Sequence, residues 1–172
     1  MIRLLTVLSG MLLACASAVL AGPEKVAFRP TYKRDVLYAT VDRPDNRTVR
    51  DLYASRDAVN AAKRGARFPS GAVFTMEVYK AKLDETGQPV KDAAGRLVRT
   101  GELVGIFVME KRTGWGAEYP ADIRNGEWEY ARFTVDGQRQ PNLDTKPCFQ
   151  CHKSISGQDF VFSLSKLVEK AR

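Results

Sequence analysis

The sequence predicts one α+β domain, in which an antiparallel β-sheet of about five strands is flanked by helices. Three segments, residues 72–83, 103–111 and 128–135, are rich in β-branched and aromatic residues and are bounded by turn residues, as strands are. Helical patterns occur before and after them, at residues 57–67 and 159–172. The 172 residues fit a single core and contain no internal repeat.

Residues 1–21 have the pattern of a secretory signal peptide. Arg3 is followed by an uncharged apolar stretch that ends at Val19-Leu20-Ala21, where small residues supply a cleavage site. We therefore expect residues 22–172 to form the mature domain and the protein to reach the periplasm. The alternative is a lipoprotein, because the sequence that ends at Cys15 resembles the box in which that cysteine is lipidated.

The charge balance of the chain is basic. Removal of Arg3 with the signal peptide lowers the formal net charge from +7 to +6. No basic run is longer than two residues, and aromatic residues do not interleave with basic ones as in strand-binding proteins, so we expect no nucleic-acid partner. The charge instead favours a solvated surface that steers an acidic redox protein.

The first half of the mature chain predicts few regular elements. Residues 22–47 contain three prolines among scattered charges, which favours an extended entry segment. Residues 48–53 have the composition of a short strand. Ser55 is a capping candidate for the helix at residues 57–67.

The three predicted strands are joined by connections rich in turn residues. Residues 84–101 contain three glycines and a proline, which indicates a long hairpin connection between neighbouring antiparallel strands. Residues 112–127 are interrupted by glycine and proline in the same way. The last segment, residues 159–172, spaces apolar residues at helical intervals and predicts a C-terminal helix. These residues are Phe160, Leu164, Leu167 and Val168.

One pentapeptide carries a recognisable chemistry. Residues 148–152 are Cys-Phe-Gln-Cys-His, the attachment sequence for c-type haem. Two thiols separated by two residues can add to the two vinyl groups on one edge of a porphyrin. His152 then lies under the iron as its proximal ligand. The sequence therefore predicts one covalent haem c, bound through Cys148, Cys151 and His152.

Three other sites use similar residues. A zinc site needs four ligands, and the one further soft donor, Cys15, lies in the predicted signal peptide. A thioredoxin-like redox pair lies near the start of a βαβ unit, which this C-terminal region lacks. A structural disulfide in so short a loop constrains little and leaves His152 without a purpose. Haem attachment is the interpretation that the motif favours.

The opposite side of the iron must carry methionine, lysine or another group, or stay empty, because His152 is the only histidine in the chain. Met76 and Met109 both lie in predicted strands, where core packing is the more common role of methionine. Strand alternation places Phe74, Met76 and Val78 on one face, and Leu103, Gly105, Phe107 and Met109 on a similar face of the next strand. If these faces cover the haem, its distal pocket is apolar and suits a small neutral gas such as nitric oxide or carbon monoxide.

These features together resemble the cytochrome P-460 family, which includes the cytochromes c′-beta. The resemblance runs through residues 48–53, 68–78, 126–130, 148–153 and 159–162. It implies an antiparallel sheet flanked by helices, a homodimer, and a five-coordinate haem with histidine on its proximal side.

The resemblance also separates two branches of the family. In the P-460 branch, which oxidises hydroxylamine, a lysine before the strand glutamate is bonded covalently to the haem edge, whereas this chain has Met76 there. Lys80 and Lys82 share the parity of Met76, but either would need a shifted alignment to replace that lysine. The resemblance therefore favours the gas-binding c′-beta branch, which lacks the cross-link.

Two further positions follow from the resemblance. Arg50 matches a family arginine near the haem pocket, and its alternative role is that of a surface strand residue. Some members carry an acid shortly before the first haem cysteine, where this chain has Leu143 with Asp144 beside it. We expect Met76, Phe74 and Arg50 to line the distal pocket, with no firm catalytic residue.

The sequence thus predicts a periplasmic cytochrome that binds a gas at an open haem. Two alternatives remain. One is an electron-transfer cytochrome in which Met76 or Met109 binds the iron. The other is a haem enzyme that acts on hydroxylamine, nitric oxide or peroxide.

Overall fold

Five strands form a single antiparallel sheet in the computed structural model, which describes residues 25–140 and 143–172. The strands follow one another in sequence order across the sheet. They are β1 (Val36–Arg43), β2 (Thr48–Ala54), β3 (Val73–Ala81), β4 (Arg99–Lys111) and β5 (Trp128–Phe133). The predicted signal peptide and Cys15 lie outside the described residues.

Three helices accompany the sheet. They are α1 (Arg56–Lys63), α2 (Lys146–Lys153) and α3 (Leu164–Ala171). This arrangement confirms the predicted α+β class, with five antiparallel strands and flanking helices. No helix in the described part of the chain is long and apolar enough to cross a bilayer.

The two faces of the sheet are covered by different parts of the chain. On one side, which we call the helix face, Phe74 and Trp128 pack with α1 and α3 through buried residues such as Ala58 and Leu167. On the other side, the back face, Ile106 and its neighbours pack against the N-terminal segment, residues 25–35. The predicted haem helix, α2, also joins the helix face, through its buried Phe149.

The strand register confirms most of the predicted faces. Phe74 lies opposite Met109, and Met76 lies opposite Phe107, so these side chains share the helix face. Leu103 was predicted for the same face, and this prediction is wrong. A bulge follows the pair formed by Val78 and Gly105, so that Leu103 packs into the back-face cluster instead.

Most predicted elements have different bounds in the structure, and β4 begins at Arg99, inside the predicted connection 84–101. The entry segment, residues 22–47, contains the complete strand β1. The first helix begins after its predicted cap, Ser55, and ends at Lys63, because the chain turns at Gly65 with a φ of 63°. The last helix begins only at Leu164, since residues 159–160 have positive φ and cannot continue a helix.

A buried carboxylate organises the back face. Glu77 is 1 % exposed and accepts hydrogen bonds from the phenols of Tyr32 (2.5 Å), Tyr53 (3.0 Å) and Tyr79 (3.0 Å). The ammonium group of Lys33 lies 3.1 Å from the same carboxylate. Burial alone would raise the pKa of Glu77, but the four donors outweigh it and hold this pKa below its ordinary value.

Candidate haem site

The three residues of the predicted attachment motif share one side of α2. Cys151 and His152 follow Cys148 by three and four positions, so all three side chains fall on the same helical face. Both cysteines are free thiols. Cys148 is half-buried, and burial raises the pKa of its thiol, whereas Cys151 is exposed. The helix therefore presents two thiols and an imidazole on one side.

The opposite side of α2 is anchored in the core. Phe149 is completely buried, and its ring centroid lies 4.6 Å from that of Tyr119 and 4.8 Å from that of Tyr130. The buried amide of Asn125 donates hydrogen bonds of 2.9 Å to the carbonyl of Phe149 and to the hydroxyl of Tyr130. These contacts hold the helix with its cysteine-bearing side outward.

The imidazole of His152 is oriented by one hydrogen bond. Its Nδ1 lies 2.7 Å from the carbonyl oxygen of Phe160, and because a carbonyl can only accept, Nδ1 must carry the proton. The ring centroids of Tyr130 and Phe162 lie 4.9 Å and 5.1 Å from the centroid of the imidazole. Burial lowers the pKa of His152, which favours the neutral ring. Nε2 therefore keeps its lone pair for a metal.

The helix face continues beyond the ring of Tyr130 as a partly exposed apolar row. Leu52, Met76 and Phe107 lie side by side across three neighbouring strands, and all three are half-buried. We call these three residues the apolar shelf. Phe107 is opposite Arg132, two residues after the Tyr130 that contacts His152, so the Phe107 end of the shelf lies near Tyr130 on the sheet.

The candidates for the distal side differ in their burial. Met76 belongs to the apolar shelf, whereas Phe74 and Met109 are 6 % and 8 % exposed and pack in the core. Met76 therefore lies in the half-exposed row of the helix face, whereas Met109 lies opposite Tyr130 in the core.

Arg50 lies on the same face at the edge of the shelf, opposite Val78. Its Nε is buried and has no hydrogen-bond partner. Burial and the nearby Arg43 lower the pKa of the Arg50 guanidinium. Arg43 in turn is close enough to Cys151 for the two groups to interact. A buried donor without an acceptor costs free energy, which an anionic or hydrogen-bonding group in this volume would offset.

Lys80 and Lys82 share the strand parity of Met76. Lys80 forms an ion pair, and Lys82 lies just outside β3. The ammonium group of Lys80 is 2.6 Å from the carboxylate of Glu102, and its side chain is exposed. Lys82 is exposed and follows the last residue of β3.

The structure also describes Leu143 and Asp144, which lie shortly before α2. Asp144 is exposed and accepts a 2.9 Å hydrogen bond from the backbone N–H of Lys146, the first residue of α2, so it supports the start of this helix. Leu143 is half-buried. Asp144 therefore has a structural role at the helix terminus.

Together these residues fit a haem. The two free thiols match the two covalent attachment points, and the free Nε2 of His152 matches the proximal iron ligand. The apolar shelf suits a flat hydrophobic ring, and the unpartnered Nε of Arg50 suits a polar group at its edge.

Several residues that build the site carry no sequence signal. Asn125, which connects two of the aromatic residues around α2, is a single amide in a glycine-rich connection. Phe160 contributes only its carbonyl, which any residue type has. Glu129 is a third case, because strand alternation alone does not reveal that an acid is buried.

Glu129 lies at the edge of this region in an unusual state. It is 2 % exposed, one oxygen accepts a hydrogen bond from the hydroxyl of Tyr119, and the other has no partner. Burial raises its pKa to about 7, although Tyr119 and Lys25 act in the opposite direction. In the folded protein Glu129 therefore stays protonated up to near-neutral pH.

We predict that Glu129→Gln removes a pH-dependent loss of stability. An acid whose pKa is raised by folding stabilises the fold at pH values below its unfolded pKa, about 4.3, and this contribution is lost as the pH rises through 7. The amide is neutral throughout. The free energy of unfolding of the variant, relative to wild type, should therefore increase from pH 5 to pH 8. We expect at least about 1 kcal/mol, less than the full shift because solvent screens part of it.

Urea denaturation at both pH values measures this difference. Glu169→Gln, at an exposed position of α3, is the matched control and should leave the difference unchanged. Parallel pH profiles for wild type and Glu129→Gln would show that Glu129 is ionised in the folded state.

A comparison with known families agrees with this geometry. The model of the cytochrome P460 family matches residues 30–163, which is most of the chain and includes the sheet, the attachment motif and α2. No curated protein matches the sequence. Because the family match covers far more than half of the chain, this protein belongs to the cytochrome P460 family and is a haem-binding cytochrome.

Proposed function

We propose that the protein is a mono-haem c-type cytochrome that binds a small gas, such as nitric oxide or carbon monoxide, at a five-coordinate iron. Cys148 and Cys151 would hold the haem covalently, and His152 would be the proximal ligand. A bound haem supplies an iron that exchanges one electron and accepts a small neutral ligand. The protein residues orient the cofactor and determine which ligands reach it.

The single observation that carries the proposal is the hydrogen bond of His152. Its Nδ1 donates to the carbonyl of Phe160, so only Nε2 remains available as a ligand atom. Cys148 and Cys151 lie on the same helical side, which supports attachment and ligation from one element. No other histidine exists in the chain to occupy the second axial position.

The apolar shelf supports a neutral ligand on the distal side. Leu52, Met76 and Phe107 offer no acid or base to transfer a proton, and a small uncharged gas needs none. Met76 stands at the place that the resemblance assigns to the cross-linking lysine, and its thioether lacks a nucleophilic nitrogen. Lys80 is engaged by Glu102. These residues favour gas binding over the oxidation of hydroxylamine.

We predict that the reduced protein binds carbon monoxide without loss of a protein ligand. The ferrous spectrum should be that of a five-coordinate, high-spin haem and should become six-coordinate when carbon monoxide is added. Optical spectra with and without the gas measure this. Met76→Leu is the control and should leave the ferric spectrum unchanged. A low-spin ferrous spectrum that resists carbon monoxide, together with a change on this substitution, would establish methionine ligation and the electron-transfer function.

We also predict that Met76→Lys creates a covalent link between the strand and the haem edge. Formation of a carbon–nitrogen bond replaces one N–H and one C–H bond, so two protons and two electrons must leave, and peroxide is added as the oxidant. A lysine peptide should then stay attached to the haem after proteolysis, and the Soret band should move to the red. Mass spectrometry and optical spectra detect these changes.

Leu52→Lys is the matched control for this experiment, because it places an amine in the same row of the shelf on the neighbouring strand. It should form no link. If the wild-type protein already carries a lysine peptide on its haem, Met76 is misassigned, Lys80 or Lys82 is the linked residue, and the enzymatic function is favoured.

We further propose that the protein is exported to the periplasm and forms a homodimer. The charged and apolar regions of residues 1–21 support export. The resemblance to the family supports the dimer. Intact mass of the exported protein should equal residues 22–172 plus one haem, and a mass that begins at a lipidated Cys15 would contradict this. Light scattering should give twice that mass.

A further inference from the structure

A second carboxylate, that of Asp159, lies close to the haem motif but outside every role described so far. It accepts hydrogen bonds from the backbone N–H of Phe68 at 3.0 Å and from the indole N–H of Trp128 at 3.4 Å. The ammonium group of Lys111 is 3.0 Å and 3.2 Å from its two oxygens. The side chains of Asp159 and Lys111 are both only 11 % exposed.

These donors come from three separate parts of the fold. Phe68 precedes β3, Lys111 ends β4, and Trp128 begins β5. One carboxylate therefore ties the turn after α2 to one end of the sheet. Because the ion pair is largely shielded from water, its geometry is maintained more strictly than that of an exposed pair.

The turn itself has a conformation that needs such support. Asp159 and Phe160 have φ values of 48° and 64°, and neither is glycine. Left-handed backbone is strained for such residues, so it persists only where surrounding contacts enforce it. The result of this conformation is that the Phe160 carbonyl faces His152.

We infer that Asp159 is a positioning residue for the proximal ligand: its carboxylate holds the Phe160 carbonyl against the Nδ1–H of His152. This inference deepens the proposed function and rests on the ligation of iron by His152. A strong hydrogen bond at Nδ1 increases the electron density at Nε2, which strengthens the iron–histidine bond and stabilises the ferric state. The charge of Asp159 thereby influences the iron without contact with it.

The inference gives definite expectations for Asp159→Asn, which keeps the size of the side chain and removes its charge. The hydrogen bond from His152 to Phe160 should weaken. The iron–histidine stretching frequency of the ferrous protein should shift down, and the midpoint potential should shift up. The Nδ1 proton should exchange with solvent roughly tenfold faster, which corresponds to about the net free energy of one hydrogen bond.

Asp159→Asn leaves the ammonium group of Lys111 buried without its counter-charge, which can prevent folding. The double variant Asp159→Asn with Lys111→Gln removes both charges and should show the same three shifts. Leu167→Ala is the control for general destabilisation. Leu167 is completely buried in α3 and is not one of the donors to Asp159. It should lower stability and leave the stretching frequency and potential unchanged.

Resonance Raman spectra, redox titration and NMR of the holoprotein distinguish the outcomes. Shifts in the Asp159 variants but not in Leu167→Ala are the expected result. Unchanged values in the Asp159 variants, or equal shifts in Leu167→Ala, would overturn the positioning role while His152 ligation stands. If the wild-type ferrous protein shows no iron–histidine stretch at all, the proposed function fails, and the positioning role fails with it.

Discussion

The hydrogen bond between His152 and the carbonyl of Phe160 is the interaction on which the site depends. It joins α2 to a left-handed turn eight residues further along the chain, so that both must be in place before the imidazole has a defined orientation. A histidine with both nitrogens free could bind a metal through either one. The fold removes this ambiguity, because it occupies Nδ1 and leaves Nε2. The ligand is therefore a property of the tertiary structure, although its residue type belongs to a local motif.

The distribution of helices over the sheet explains why a cofactor suits this fold. Helices α1 and α3 have eight residues each, which gives a length of about 12 Å, and they cover only part of the helix face. The remaining row, Leu52, Met76 and Phe107, is apolar and half-exposed. Apolar surface beside open volume is costly in water and in other proteins marks a ligand site. A flat hydrophobic ring would complete the layer that the short helices leave incomplete.

The sequence predicted the parts of the molecule that depend on short spacing. The attachment motif is contiguous, and the alternation in β3 predicted the face of Met76 and Phe74, which the register confirms. The prediction failed for Leu103, because a bulge in the pairing of β3 with β4 shifts the alternation and has no local signature. The prediction of few regular elements in the entry segment failed for a different reason. Its prolines and charges are typical of irregular structure, yet it contains β1, an edge strand that pairs on one side only.

Long-range polar contacts were beyond the reach of the sequence. Asp159 was placed in a helical pattern because its apolar neighbours have helical spacing. Its donors are separated from it by 91, 48 and 31 residues, and one of them is a backbone N–H. A buried acid such as Glu129 is similarly hidden, since its position in a strand gives its face but not the loop that covers it. Such residues can be recognised only in the folded structure, where the loops bring their distant partners to them.

The cluster around Glu77 gives the back face a particular response to acid. Tyr32 and Lys33 belong to the N-terminal segment, and the carboxylate of Glu77 is their hydrogen-bond and charge partner on the sheet. Because the pKa of Glu77 is held below its ordinary value, protonation begins only in distinctly acidic solution. The N-terminal segment then loses an electrostatic contact with the sheet. Acid should consequently weaken the attachment of the N-terminal segment to the back face, although residues far from the haem motif make this contact.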